Sequence, residues 1–244
     1  MSPNPLPEPL NGMPCVVTGA SRGIGFAIAR ALVARGARVV LIARNAAGLA
    51  DAQASLGDQA TTVPCDVAVP AEVDAAIRRI RAAVGGAPRI LVNNAGAFAV
   101  TAIDDVEPGA LAHALDTNIV APLRFVHAFL PEMRARGDGH IVTIGSVADR
   151  TVFPGNAAYA ASKFGMRALH EALRLETRGS GVRATLVSPG PVNTPLWDAI
   201  DPDHREGFTP RAKMLDAMAV ADAVIYAVTQ PPTVNVDELR LSRS

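Results

Sequence analysis

The 244 residues carry 23 Lys and Arg against 23 Asp and Glu, a net charge of zero that offers no general attraction to nucleic acid. Hydrophobic residues make up 49% and aromatics only 4%, so the core is expected from Ala, Val, Leu and Ile. That is the composition of parallel strands buried on both faces beneath small-residue helices. Cys15 and Cys65 lie far apart, with no CxxC spacing and no His cluster, so no metal site is expected and two isolated thiols suit a reducing cytoplasm.

Met1 to Asn11 is Pro-rich and lacks an apolar h-region, so it reads as a flexible tail and not a signal peptide. Residues 12–244 read as a single α/β domain. Strands are expected at Pro14–Val17, Arg38–Ile42, Thr61–Pro64, Ile90–Val92, His140–Ile144, Arg183–Val187 and Thr233–Leu239. Helices are expected at Gly23–Ala34, Asn45–Leu56, Pro70–Val84, Leu111–Arg136, Ala157–Thr177 and Ala219–Thr229. This alternation is the βαβ rhythm, and seven parallel strands with helices on both faces make a doubly wound sheet. No apolar run approaches the roughly 20 residues that cross a bilayer, so no membrane partner is expected. One stretch has no clean period: Asn193 to Met218, with Pro195, Trp197, Pro202, Gly207, Phe208 and Pro210. Long irregular segments in compact domains are usually lids or binding loops, and 195–218 is expected to bind substrate.

Thr18-Gly19-Ala20-Ser21-Arg22-Gly23-Ile24-Gly25 follows the first strand and opens the first helix. Its glycines have GxxxGxG spacing. Glycine there lets the backbone turn sharply and approach a pyrophosphate, which then sits on the free N–H groups of the helix. A site for NAD usually places Asp or Glu about 20 residues past the loop, to bind the ribose 2′-OH. Here no acidic residue occurs from Pro9 to Ala50, while Arg22 lies in the loop and Arg44 just after the second strand. Two guanidiniums without a carboxylate favour a 2′-phosphate, so the expected cofactor is NADP(H) over NAD(H). Asp66-Val67 follows the third strand, where the carboxylate could accept from the adenine amino group or cap the next helix. Asn93-Asn94-Ala95-Gly96 follows the fourth strand, where small residues let a cofactor pass close to the backbone.

Tyr159 and Lys163 stand four residues apart on an expected helix, thirteen and more positions beyond Ser146. Positions i and i+4 share a helix face. A phenol of pKa about 10 needs roughly 3 units, or about 4 kcal/mol, to reach neutrality. One cation at about 4 Å supplies about that much at an effective dielectric near 20. The pair is the smallest constellation here that makes a phenol an acid or base.

With these residues in order, the chain resembles the short-chain dehydrogenase/reductase superfamily over residues 13 to about 194. The matching segments are Thr18–Gly25, Asp66-Val67, Asn93–Gly96, Asn118, Ser146, Tyr159–Lys163 and Pro189-Gly190-Pro191-Val192-Asn193-Thr194. The resemblance implies a Rossmann-like sheet and hydride transfer between a nicotinamide cofactor and an alcohol or carbonyl compound. It gives Tyr159 the role of general acid/base, and Lys163 that of lowering its pKa and holding the nicotinamide ribose. Ser146 would orient the substrate oxygen, and Asn118 would kink a helix and hold a water of the proton relay. Pro189, Gly190, Val192 and Thr194 would touch the nicotinamide amide and the phosphates. It also implies a homodimer or homotetramer pairing through the two long helices; the apolar Phe125, Phe129, Phe164 and Leu169 on those helices would suit such an interface and could equally be core. A non-catalytic NADP(H) sensor on the same fold is the alternative; such members commonly lose the Tyr or Lys, and both are present. The short polar ending after Val234–Arg240 is similar to a subgroup acting on hydroxy acids such as serine, and Arg150, Arg205, Arg211 and Lys213 are the cations that could hold a carboxylate. Against that, Phe98, Phe153, Trp197 and Phe208 suggest a partly apolar pocket.

Overall fold

A computed structural model describes residues 10–244. Seven strands, β1 (Pro14–Thr18), β2 (Arg38–Ala43), β3 (Ala60–Pro64), β4 (Ile90–Asn93), β5 (Gly139–Ile144), β6 (Val182–Pro189) and β7 (Glu238–Leu241), form one sheet in the order β3-β2-β1-β4-β5-β6-β7. Every pairing is parallel, with Val16 opposite both Val40 and Leu91. The strand order reverses between β1 and β4, and ligands of such sheets bind outside the carboxyl ends of the strands at that switch point. The helices are α1 (Gly23–Val33), α2 (Ala46–Leu56), α3 (Pro70–Val84), α4 (Pro108–Leu115), α5 (Ala121–Arg136), α6 (Ala157–Glu176) and α7 (Ala217–Val228). None of the described helices is long and apolar enough to span a membrane.

Successive strand residues point to opposite faces, so each strand feeds two cores. Val17, Val39 and Leu41 meet Ile28, Leu32 and Val224 on one face. Val16, Val40 and Ile42 meet Ile80, Phe125, Phe129 and Met133 on the other. Phe125 and Phe129 stack at 6.4 Å and are 1% and 0% exposed, so of the two expected places, interface or core, they take the core. Phe164 is exposed, as is Leu123, whereas Leu169 is half-buried.

Six strands match their expected positions to within two residues. The last is displaced: the expectation began at Thr233, but pairing begins at Glu238. The Asn235 side chain takes the place of the ladder, accepting from Ala184 N–H at 2.9 Å and donating to Ala184 C=O at 3.1 Å. The long helix expected at Leu111–Arg136 is also broken. It starts at Pro108, opens into a π turn over Asp116–Val120, and resumes at Ala121. Pro122 has no N–H to give to the Asn118 carbonyl, the bond a continuous α-helix would need there. At the chain start, Leu10 and Asn11 fall in the expected tail, yet Leu10 is buried and donates to Arg35 C=O at 2.9 Å. Residues 1–9 of that expected tail lie outside the described residues.

Candidate active site

A cleft of about 930 Å³ opens over the carboxyl ends of β1, β2, β4, β5 and β6. One end is walled by the glycine loop. Gly19 has φ +67°, and a Cβ there would meet Asn94 Nδ2 at 2.8 Å and Ala95 Cα at 3.0 Å. A Cβ on Gly25 would lie 2.2 Å from the Gly19 carbonyl oxygen. Buried Thr18 holds the two turns together: its Oγ1 accepts from the N–H groups of Asn94 (3.0 Å) and Ala95 (2.9 Å). Asn94 Nδ2 donates back to Thr18 C=O at 2.8 Å. The helix behind this loop has Arg22 as N-cap residue without a side-chain cap, and no acid in its first turn, so its first N–H groups are left for a ligand.

Gly19, Ser21, Arg22, Gly23, Ile24, Arg44, Asp66, Val67, Ala95, Gly96, Pro189, Gly190, Val192 and Thr194 all line the cleft, as the sequence led us to expect. Two expected contacts do not. Gly25 is buried behind the loop, where its missing Cβ permits close packing. Asn93, the last residue of β4, is 4% exposed and turned beneath the cleft; Asn94 takes the place at its wall. Arg22 and Arg44 are exposed and form no ion pair among the described residues. Asp66 lines the cleft and accepts from Ala68 N–H at 3.0 Å within the turn; the helix that follows has Val69 as its N-cap residue without a side-chain cap, so Asp66 does not cap it. Ala43, Asn45 and Gly48 also line this end; Ala43 ends β2 and the other two follow it, with no motif by which to find them.

Ser146, Tyr159 and Lys163 meet in the middle of the cleft. Helix α6 presents the last two on one face, with Lys163 6% exposed and its Nζ 5.6 Å from the Tyr159 ring centroid. Ser146 stands two residues past β5, and its Oγ accepts from Ala148 N–H at 3.1 Å. The electrostatics depart from expectation. Burial pushes the Tyr159 phenol up to about 12, against the lowering effect of the Ser146 hydrogen bond and helped by the Asp149 charge. Burial pushes Lys163 down to about 8. The Lys163 ammonium donates to the Ile144 carbonyl at 2.9 Å and lies over the face of the Tyr159 ring. In this state Tyr159 is a proton donor at neutral pH.

Asn118 sits in the π turn, 2% exposed and outside the cleft lining. Its Oδ1 accepts from Ala97 N–H at 2.8 Å, and its Nδ2 donates to Ala97 C=O at 3.0 Å and Ser162 Oγ at 2.8 Å. Ser162 donates in turn to the Tyr159 carbonyl at 2.7 Å. Its side chain therefore joins the segment after β4 to the helix that carries Tyr159 and Lys163.

The far end is walled by side chains. Phe98 packs edge-on against Tyr159 (4.8 Å) and Trp197 (5.1 Å), and Trp197 against Phe208 (6.3 Å). Trp197 Nε1 donates to Val192 C=O at 3.0 Å, which pins the indole. With Phe153, five of the chain's seven Phe, two Tyr and one Trp line this one cleft. His113 and Glu206 line it too, and nothing in the sequence marked them. The irregular 193–218 segment folds into three short 3-10 turns, and its base is closed by Asn193 and Leu215 N–H groups donating across the gap at 2.8 Å each. None of the four candidate carboxylate-binding cations lines the cleft. Arg150 pairs with Asp149 and Glu238, Arg211 with Asp198, and Arg205 lies over the Phe208 ring at 4.9 Å.

Known proteins share this arrangement. Residues 14–205 match the model of the short chain dehydrogenase family. An uncharacterized oxidoreductase of Staphylococcus epidermidis is 36% identical over 226 residues, 93% of this chain and 95% of its own. The crystal structure of a metagenomic short-chain oxidoreductase in complex with NADP superposes with a TM-score of 0.83 at 32% identity, covering 96% of this chain and 98% of that one. Serine dehydrogenase from Escherichia coli superposes at 0.80 with 29% identity, covering 94% and 97%. With most of its length matched and its strand order and cleft in place, the chain belongs to the short chain dehydrogenase family.

Proposed function

We propose that this protein is an NADP(H)-dependent oxidoreductase that interconverts a secondary alcohol and its ketone or aldehyde. The observation that carries the reading is the convergence of Ser146, Tyr159 and Lys163 in one cleft with a glycine loop and two unpaired arginines. The glycine loop fits a dinucleotide, since a side chain at Gly19 would enter the space between the loop and Ala95. Arg22 and Arg44 fit the additional 2′-phosphate, because neither forms an ion pair among the described residues. The NADP-bound metagenomic relative supports the same choice.

When bound, NADPH supplies the hydride. The chain supplies the proton and the placement. Tyr159, protonated at neutral pH, donates its proton to the carbonyl oxygen, while the Ser146 hydroxyl orients that oxygen. Lys163, charged below about 8, refills the phenol and holds the ribose. Asn118 fixes the helix segment that frames this relay. A bulky uncharged carbonyl compound fits the substrate end better than a hydroxy acid: among the described residues that end is lined by Glu206 and four aromatics, Phe98, Phe153, Trp197 and Phe208, and by no Arg or Lys.

The test is Tyr159→Phe, which keeps the ring and removes the proton. NADPH oxidation with an aryl ketone is expected to fall roughly 10²–10⁴-fold, with NADPH affinity by calorimetry unchanged. A variant that turns over at the wild-type rate sinks the assignment.

A further inference from the structure

Three residues after Ser146, Asp149 carries a carboxylate that is 1% exposed. Its Oδ2 accepts from the Ser146 N–H at 3.4 Å and from the Ser188 hydroxyl at 2.5 Å, and its Oδ1 accepts from Arg150 Nε at 2.8 Å. Because Ser146 Oγ caps the same turn, the two side chains form a reciprocal capping box. The carboxylate also packs on Gly145, where any Cβ would meet Asp149 Oδ2 at 2.7 Å. Arg150 extends the network to Glu238 on β7 at 2.5 Å. Arg167, four residues beyond Lys163 on α6, faces the same Glu238 at 3.9 Å.

A three-residue turn needs only a capping oxygen, which Ser, Thr or Asn provides without charge. An ionised carboxylate taken out of water is unfavourable unless its surroundings compensate, and here Arg150 and the Ser188 hydroxyl compensate a charge that the cap itself does not require. Its field reaches the catalytic pair, where it opposes loss of the proton from both Tyr159 and Lys163. The other ionisable groups around the pair are Arg150 on the turn, Glu238 on β7 and Arg167 on α6, with His113 and Glu206 across the cleft. Among the described residues, Asp149 is the buried carboxylate closest in sequence to Ser146, and it is the acid whose field reaches both members of the pair.

We propose that Asp149 is a positioning residue of the catalytic turn: it fixes Ser146 through the capping box, and its carboxylate packs on Gly145, next to the Ile144 carbonyl that holds Lys163. A charge there keeps the pair protonated to higher pH, which extends the range over which Tyr159 can serve as the acid of carbonyl reduction. The proposal rests on the oxidoreductase reading.

The experiment follows the pH dependence of kcat/KM for NADPH-driven reduction of an aryl ketone by the wild type, Asp149→Asn and Ser188→Ala. Asp149→Asn keeps a capping oxygen and loses the charge, so the alkaline limb is expected to move to lower pH by about one unit. Ser188→Ala disturbs the same carboxylate and keeps its charge, so its limb is expected to stay within about 0.3 unit of wild type whatever the rate. If Asp149→Asn does not fold, Asp149→Ser is read the same way. A neutral variant that is slower but has the wild-type limb overturns the proposal, because a cap alone would do that. Undiminished turnover by Tyr159→Phe would instead overturn the oxidoreductase reading, so the two failures are distinct.

Discussion

At the cofactor end of the cleft the wall is main chain, whereas at the substrate end it is side chains. Gly19, Gly23, Ala95 and Gly96 present backbone, and the Thr18 hydroxyl ties the turn after β1 to the one after β4 by accepting from the N–H groups of Asn94 and Ala95. Across the cleft, Phe98, Trp197 and Phe208 lean edge to face on one another over a segment of short turns. A backbone wall demands particular residue types at fixed places, because one methyl group closes it. An aromatic wall demands only apolar bulk in about the right place. The first end should therefore be intolerant of small changes and the second graded.

Gly25→Ala is the sharpest test of that contrast. Its new methyl would lie 2.2 Å from the Gly19 carbonyl oxygen and 2.5 Å from Asn94 Nδ2, and the oxygen belongs to a turn that cannot retreat without losing its place against Ala95. NADPH affinity, read by calorimetry, is expected to fall at least about 100-fold, with far-ultraviolet dichroism little changed. Wild-type affinity would mean that the loop yields, and the distinction between the two ends would dissolve.

Arg44→Asp acts at the same end through charge instead of shape. Losing a charge-assisted contact to a 2′-phosphate is worth about 1.5–3 kcal/mol, so the KM for NADPH is expected to rise roughly 10–100-fold. The new carboxylate offers an acceptor for a ribose 2′-OH, so the KM for NADH should not rise. An unchanged KM for NADPH would make Arg44 a solvated strand-end residue and leave Arg22 as the sole candidate.

The same contrast governs how much of each end is legible in the amino-acid sequence. The cofactor wall is legible because glycine spacing, strand ends and the missing acid between Pro9 and Ala50 are all properties of sequence order. The main departure there, Asn94 at the wall in place of Asn93, is a question of which of two adjacent residues points up, and the end of β4 decides it. Phe125 and Phe129 fall in the core for a similar reason: helical spacing shows that they share a face and cannot say what the face meets. The substrate wall is legible only as a set of aromatics. Glu206 and His113 reach the cleft from segments with no motif to mark them, and the carboxylates that occupy Arg150 and Arg211 come from residues distant in sequence or buried in a cap. Asp149 is hidden because a buried carboxylate and a surface one look alike in a sequence.

The smallest expected effect probes the substrate end. A 3-keto ester and its parent 3-keto acid share the ketone that is reduced and differ only in a charge placed a few bonds away. With Glu206 as the acid at this end and every nearby arginine engaged or outside the cleft, the acid meets repulsion without compensation. At an effective dielectric near 20 and about 10 Å, one such charge is worth about 1.7 kcal/mol. Solvent around the exposed Glu206 screens part of that, so the ester is expected to be favoured in kcat/KM by roughly tenfold or somewhat less. The preference should fall as salt is raised and should narrow in Glu206→Gln. An enzyme that prefers the acid at every ionic strength would place a cation in this end of the cleft that the arrangement of Arg150, Arg205 and Arg211 does not provide, and the hydroxy-acid reading would return.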